Sequence, residues 1–192
     1  MALENVDRQP LIVLNAKART SQGNLAKVIA NRIKKLPWIE SPRTFETQHA
    51  EAAANIDELA EVIEDGHTIV SLGGDGMAHI VGNAAKISKR RTDVALFPLG
   101  GANDTAMPIY GRTILQSDRL ERMLRHGQVG KLGGIRVEQY APGQDANVRF
   151  ALSYAGIGLS AVAANMINQD DFRDLPPAGE TRNYLRRAAV VW

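Results

Sequence analysis

Apolar positions along the chain fall into short runs separated by stretches with helical spacing. Leu11-Ile12-Val13-Leu14 is a four-residue apolar run closed by Asn15, the pattern of a buried parallel strand that delivers a polar side chain at its carboxyl end. Leu25, Val28, Ile29, Ile33 and Leu36 then recur at intervals of a helix, with Pro37 just after, which predicts a helix of about three turns with this stripe as its apolar side. Residues 43–47 read as a second strand. Ile56, Leu59, Ala60 and Ile63 mark one face of a second helix closing at Gly66. Residues 68–72 form a third apolar run. The turn Gly73-Gly74-Asp75-Gly76 leads from it into a helix through Ile80 and Val81, followed by Lys86, Lys89, Arg90 and Arg91, charges that suit a helix carboxyl terminus. Residues 93–97 are the fourth run, and Pro98-Leu99-Gly100-Gly101-Ala102-Asn103-Asp104 is a second turn.

This β-α-β-α-β-α-β order predicts an α/β fold: a doubly wound parallel sheet covered by helices on both faces, with ligands outside the carboxyl ends of the strands. Asn15, Thr47, Gly73 to Gly76 and Gly100 to Asp104 all fall on that edge. A further helix carries Leu120, Met123 and Leu124 and ends near Gly127. After it, strand-like stretches at 131–141 and 148–155 predict an antiparallel β unit. The glycine-rich hinge at 127–134 divides the chain into an α/β domain over 1–128 and the beginning of a β domain over 129–192. Residues 170–181, with Pro176-Pro177 and several charges, read as an exposed loop.

Composition narrows the classes. In 192 residues, 44% hydrophobic and 23% charged, there is one substantial core's worth of apolar side chains. The 23 basic and 21 acidic residues leave a net charge of +2, too balanced to predict a nucleic-acid partner. With no cysteine, disulfides, zinc-thiolate sites and cysteine nucleophiles are excluded, and a reducing cytoplasm is permitted. His49, His67, His79 and His126 are scattered without metal-ligand spacing and read as structural or surface residues. The polar first ten residues do not resemble a secretory signal. No apolar run approaches the roughly 20 residues that cross a bilayer, so contact with lipid is expected from the surface.

The two glycine turns carry the candidate chemistry. Gly73-Gly74-Asp75-Gly76 lies between a buried strand and a helix, where unbranched residues let a phosphate approach backbone N–H groups at the positive end of the helix. The plain alternative is a tight turn without ligand. Asp75 would repel a polyphosphate unless a divalent cation bridges them or the nucleotide presents donors instead; a magnesium-nucleotide complex that it meets indirectly resolves the conflict, and the plain alternative is a turn Asp that satisfies local backbone. No G-x-x-x-x-G-K-[ST] pattern is present, which excludes a P-loop. Asn103-Asp104 also has a local reading as an N-cap pair opening the next helix. Gly156-x-Gly158-x-x-Ala161 matches the dinucleotide fingerprint in a place with no room for a doubly wound unit. Arg182, Arg186 and Arg187 with Tyr184, Leu185 and Trp192 read as a solvated helix face or a basic amphipathic surface.

Ser71-Leu72-Gly73-Gly74-Asp75-Gly76, followed after one helix and one strand by Pro98-Leu99-Gly100-Gly101-Ala102-Asn103-Asp104, resembles the diacylglycerol kinase catalytic domain, shared by bacterial lipid kinases and sphingosine kinases. Asn15 is similar to the family's early Asn, and Thr47 falls where the family has a nucleotide-contacting Thr. More weakly, residues 150–158 are similar to the stretch that opens the family's second domain. The resemblance implies a nucleotide domain of the phosphofructokinase and NAD-kinase type, followed by part of a β-sandwich that forms a lipid cleft. It implies ATP and Mg2+ as cofactors and transfer of the γ-phosphate to a lipid hydroxyl at a membrane surface. Asn15, Thr47, Gly73, Gly74, Asp75, Gly76, Met77, Gly100, Gly101, Asn103 and Asp104 would then form the ATP site. A cytoplasmic protein, peripheral at the inner membrane, is the implied location.

Departures from the pattern qualify that expectation. Met77 stands where the family has Thr or Ser, and a thioether cannot donate a hydrogen bond to phosphate. Gly101 replaces a Thr, and His79-Ile80 replaces Asn-Glu. The family's catalytic carboxylate and magnesium loops lie beyond residue 192, so the catalytic residue is unassigned and this chain reads as incomplete for turnover. An unfinished β-sandwich leaves open sheet edges, which favours pairing with another chain, a homo-oligomer included. The alternatives are an NAD-kinase-type enzyme, where the Gly-Gly-Asp-Gly turn also occurs, and a noncatalytic nucleotide-binding or interaction module.

Overall fold

The structure, a computed structural model, describes residues 9–15, 21–100, 103–111, 117–127, 130–139 and 147–152, all within one compact unit, Met1–Ser153. Gly101, the fingerprint-like Gly156 to Ala161, the loop at 170–181 and the basic stretch around Arg182 to Trp192 lie outside the described residues.

Strands and helices alternate as β1 (Leu11–Leu14), α1 (Ser21–Ile33), β2 (Arg43–Glu46), α2 (Ala52–Val62), β3 (Thr68–Gly73), α3 (Asp75–Ser88) and β4 (Asp93–Pro98). The four strands form one parallel sheet in the order β2-β1-β3-β4. The chain runs from β1 outward to β2 and then returns past β1 to β3. The order therefore reverses between the carboxyl ends of β1 and β3, the place where doubly wound sheets bind ligands.

Alternation within β1 decides the layers, because successive strand side chains point to opposite faces. Ile12 and Leu14 join Val70, Leu72 and Phe97 under Ala26, Ile29, Ala30 and Ile33 of α1 and Leu120 and Leu124 of α5 (Ser117–His126). Leu11 and Val13 join Ile69 under Ile56 and Leu59 of α2 and Met77, Val81 and Ala84 of α3. All four β1 residues are buried, each contributing about 1.5–3 kcal/mol, so this run is apolar throughout.

The buried stripe of α1 differs from the one that spacing predicts. Leu25 and Val28 are 41% and 62% exposed, while Ala26 and Ala30 are buried. Small alanines let the helix approach the strands closely, and that fit decides the buried side over side-chain hydrophobicity. Gly66 likewise does not end α2, which stops at Val62 with Ile63 extended. Gly66 has φ +85° within a turn closed by the His67 N–H donating to the Glu64 carbonyl, a left-handed conformation that favours glycine.

Beyond β4 come the short α4 (Met107–Tyr110), α5, and the antiparallel pair β5 (Ile135–Gln139) and β6 (Asn147–Ala151), in which Arg136 faces Phe150. The pair is fastened to α3. Asn83 is fully buried; its Oδ1 accepts the Phe150 N–H at 2.8 Å and its Nδ2 donates to the Phe150 carbonyl at 2.8 Å. The same amide donates to the His79 carbonyl at 2.9 Å. Next to it, a Cβ on Gly82 would stand 2.8 Å from Leu152, and Lys86 lies 5.6 Å from the centre of the Phe150 ring.

Candidate functional site

Pairing of β3 with β4 runs to Leu72 opposite Phe97 and Gly73 opposite Pro98, so the two glycine turns leave the sheet side by side. They then touch. The Leu99 N–H donates to the Gly73 carbonyl at 2.9 Å. A Cβ on Gly74 would lie 2.7 Å from the Gly100 Cα, and one on Gly100 would lie 2.4 Å from the Gly74 Cα. Backbone meets backbone here, which only glycine at both positions allows.

Side chains complete the junction. Asn103, with φ +57° and largely buried, accepts the Gly100 N–H at 2.7 Å through Oδ1 and donates to the Gly100 carbonyl at 2.6 Å through Nδ2. Asp75 Oδ1 accepts the Thr105 N–H at 2.9 Å, tying the start of α3 to the second turn. The Asn103-Asp104 pair is not the N-cap of the next helix: that position is Ala106, without a side-chain cap. Asn103 contributes its carbonyl to the Met107 N–H instead, its amide being committed to Gly100. Asp104 is exposed.

What this junction presents is the amino end of α3. Gly74 caps the helix without a side chain, and the first N–H groups of any helix lack an intrahelical acceptor. The helix dipole adds positive potential at that end. The glycines of the turn are not equivalent. A Cβ on Gly73 would stand 2.5 Å from the Met77 Cβ, whereas one on Gly76 would meet nothing within 4 Å. Gly76 thus faces open space at the helix start. Met77 turns its thioether into the α2–α3 core, 7% exposed, so its side chain is directed away from this opening and only its backbone faces the helix end.

Asn15 and Thr47 sit on the same edge. Leu14 pairs with both Glu46 and Leu72, so the next residues, Asn15, Thr47 and Gly73, end their strands as neighbours. The Thr47 N–H donates to the Leu14 carbonyl at 3.0 Å, and Thr47 is buried while Asn15 is exposed. The loop after Thr47 is pinned by Asn55 of α2, whose Oδ1 accepts the N–H groups of Gln48 and His49.

Among the described residues, no three His, Asp or Glu side chains cluster as a metal site. Asp75 is a single carboxylate, so a cation there would bring its remaining ligands with it. One turn along α3, His79 is half-buried, and burial first, then the Arg149 guanidinium, holds its imidazole below the ordinary value of 6.5. A cavity of about 440 Å³ lies elsewhere, along β4 between Ala95, Leu96, Ile109, Tyr110, Leu132 and Leu152. It is apolar and does not include the glycine turns.

The model of the diacylglycerol kinase catalytic domain matches residues 9–132. The chain belongs to the diacylglycerol kinase catalytic domain family. That match begins just before β1 and runs past α5, taking in both glycine turns, and assigns the chain to a kinase-type fold. No individual curated protein matches the chain. No helix among the described residues is long and apolar enough to cross a membrane. Two residues of the family's domain that sequence reasoning passes over now stand out. Thr105 gives its backbone N–H to Asp75, a contact that no side-chain pattern marks. Asn83 carries a signal: a poor helix former set between Val81 and Ala84 on the buried side of α3.

Proposed function

We propose that this chain is the nucleotide-binding portion of an ATP-dependent lipid kinase, with ATP bound across the carboxyl edge of the sheet. The observation that carries this reading is the junction of Gly74 and Gly100, which holds the uncapped start of α3 open beside Gly76. In this reading the backbone N–H groups of Gly76 and Met77 donate to phosphate oxygens, as helix starts do. Gly73, Gly74 and Gly100 keep the two turns narrow enough for the polyphosphate to reach them, and Gly101, the next residue in the chain, belongs to the same expected ATP site. Asn15 and Thr47 line the neighbouring side of the nucleotide, and Asn103 and Asp104 form the far lip.

Asp75 keeps one carboxylate oxygen on Thr105 and has the other for a magnesium ion carried by the nucleotide. Magnesium would supply charge neutralisation between that carboxylate and the phosphates. The acceptor is a lipid hydroxyl at a membrane surface, by family membership. Met77 buried in the core favours a second reading, a nucleotide-binding module without turnover, since the family's hydroxyl is missing from the turn.

Calorimetric titration of ATP, with and without magnesium, tests the site. Gly76→Val adds bulk only to open space, so it is expected to leave the fold intact and to lower affinity at least tenfold by blocking phosphate. Asp75→Asn keeps the acceptor for Thr105 and is expected to remove the advantage of magnesium. Unchanged ATP affinity in Gly76→Val would place the nucleotide elsewhere. Phosphate transfer to diacylglycerol vesicles would select the kinase over the module.

A further inference from the structure

Helix residues three and four apart share a side, so Gly76, His79, Asn83 and Lys86 form one stripe along α3. β6 lies against that stripe. Asn83 bonds both the N–H and the carbonyl of Phe150, which fixes the part of the strand that stands against each turn of the helix. Successive strand side chains point to opposite faces, so Phe150 and Arg149 leave β6 in opposite directions. Phe150 goes to the carboxyl side of Asn83, where Lys86 Nζ lies 5.6 Å from the centre of its ring. Arg149 goes to the amino side, where it acts on His79, whose imidazole is held below 6.5 by burial first and by this guanidinium second. His79 is three residues from Gly76, about 4.5 Å along the helix axis.

Two half-buried groups that can each carry positive charge are thus set together beside the helix start. The imidazole avoids the conflict by staying neutral. An anion between the two groups would remove it, and the uncapped N–H groups and dipole at the start of α3 favour an anion in the same place. Arg149 is equipped to bind one. Its Nη1 donates to the Val148 carbonyl at 3.0 Å, which engages one of the five donors of a guanidinium. The planar fork can offer two parallel N–H groups to a phosphate from that position.

We propose that Arg149 is a phosphate-binding residue: β6 carries its guanidinium to the amino end of α3, where it donates to the terminal phosphate of a nucleotide held at Gly76. This assignment rests on the ATP site proposed above and extends that site to the antiparallel pair. Lys86 has the same charge and the same neighbour, Phe150, but stands on the other side of Asn83. It is ten residues from Gly76, about 15 Å along the axis, farther than charges act on one another at physiological salt. Position, not charge alone, therefore separates the two.

The test is calorimetric titration of the full 192-residue chain with magnesium-ATP and, separately, with adenosine. Arg149→Gln is expected to lower ATP affinity at least about tenfold through loss of a charge-assisted contact, and to leave adenosine binding as it is in the wild type. Arg149→Lys keeps the charge without the fork and is expected to recover part of that loss. Lys86→Gln is expected to change ATP affinity less than about twofold, its charge being screened from the site. Protection of the Phe150 amide from hydrogen exchange checks that β6 stays in place in each variant. Wild-type ATP affinity in both Arg149 variants, or equal losses in Arg149→Gln and Lys86→Gln, would overturn the assignment while Gly76→Val still marked the nucleotide site. A wild-type chain that binds ATP no more tightly than adenosine would instead remove the nucleotide reading itself, and this assignment with it.

Discussion

At the scale of single residues, the site is held by groups whose usual chemistry is already engaged. Asn103 uses both ends of its amide on Gly100, and Asp75 uses one oxygen on Thr105. Their residue types are visible in the sequence; their partners are not, because each bond depends on how two turns meet in space. His79 shows the same in its titration. Burial and the facing Arg149 lower its folded-state value below 6.5, so the unfolded chain binds the proton more readily. Stability conferred by the neutral form is full above about 6.5 and is lost as pH falls through the folded-state value, which lies lower. The melting temperature of the wild type is therefore expected to drop more between pH 7 and pH 5.5 than that of His79→Gln. Equal slopes in calorimetric scans of the two proteins would assign the acid sensitivity to other groups.

At the scale of elements, legibility follows from how local the cause is. The strands were readable because burial on both faces makes a parallel strand apolar at consecutive positions, as Leu11 to Leu14 shows. The start of α3 was readable because a run of glycines before a helix has few other uses. The buried side of α1 was not, since Ala26 and Ala30 win their place by fit against the sheet and not by hydrophobicity. The glycines then divide by what surrounds them. Gly100→Ala drives a methyl group to 2.4 Å from the Gly74 Cα, and backbone cannot yield as a side-chain tip does. A cost of about 3 kcal/mol, the upper part of the range for overpacking, is expected. Gly76→Ala adds its methyl group to open space and replaces a poor helix former in the first turn of α3, so it should be neutral or slightly stabilising. Urea denaturation of both variants measures the difference. A Gly76→Ala variant as unstable as Gly100→Ala would mean that Gly76 is held by contacts, and the opening at the helix start would be lost as an argument.

At the scale of the whole described molecule, one buried amide joins the α/β layers to the antiparallel pair. Asn83 and Phe150 are 67 residues apart in the chain, and no periodicity relates them; a polar residue on the buried side of α3 was the only trace in the sequence. Because the amide stands in for a strand, its loss leaves the Phe150 N–H and carbonyl without partners in a place from which water is largely excluded. That costs about 2–4 kcal/mol for two buried backbone groups. The cost falls on an interface and leaves the sheet untouched, so it should appear as local opening rather than as global unfolding. In Asn83→Ala, hydrogen exchange at Arg149 and Phe150 is expected to accelerate by two or more orders of magnitude, while the amides of β1 and β3 change far less. Asn83→Asp should behave almost as badly, since a carboxylate accepts from the Phe150 N–H but repels the carbonyl that the amide served. Exchange that rises equally in β1, β3 and β6 would show that the pair and the parallel sheet open as one unit, and that Asn83 is a core residue like its neighbours rather than a latch between them.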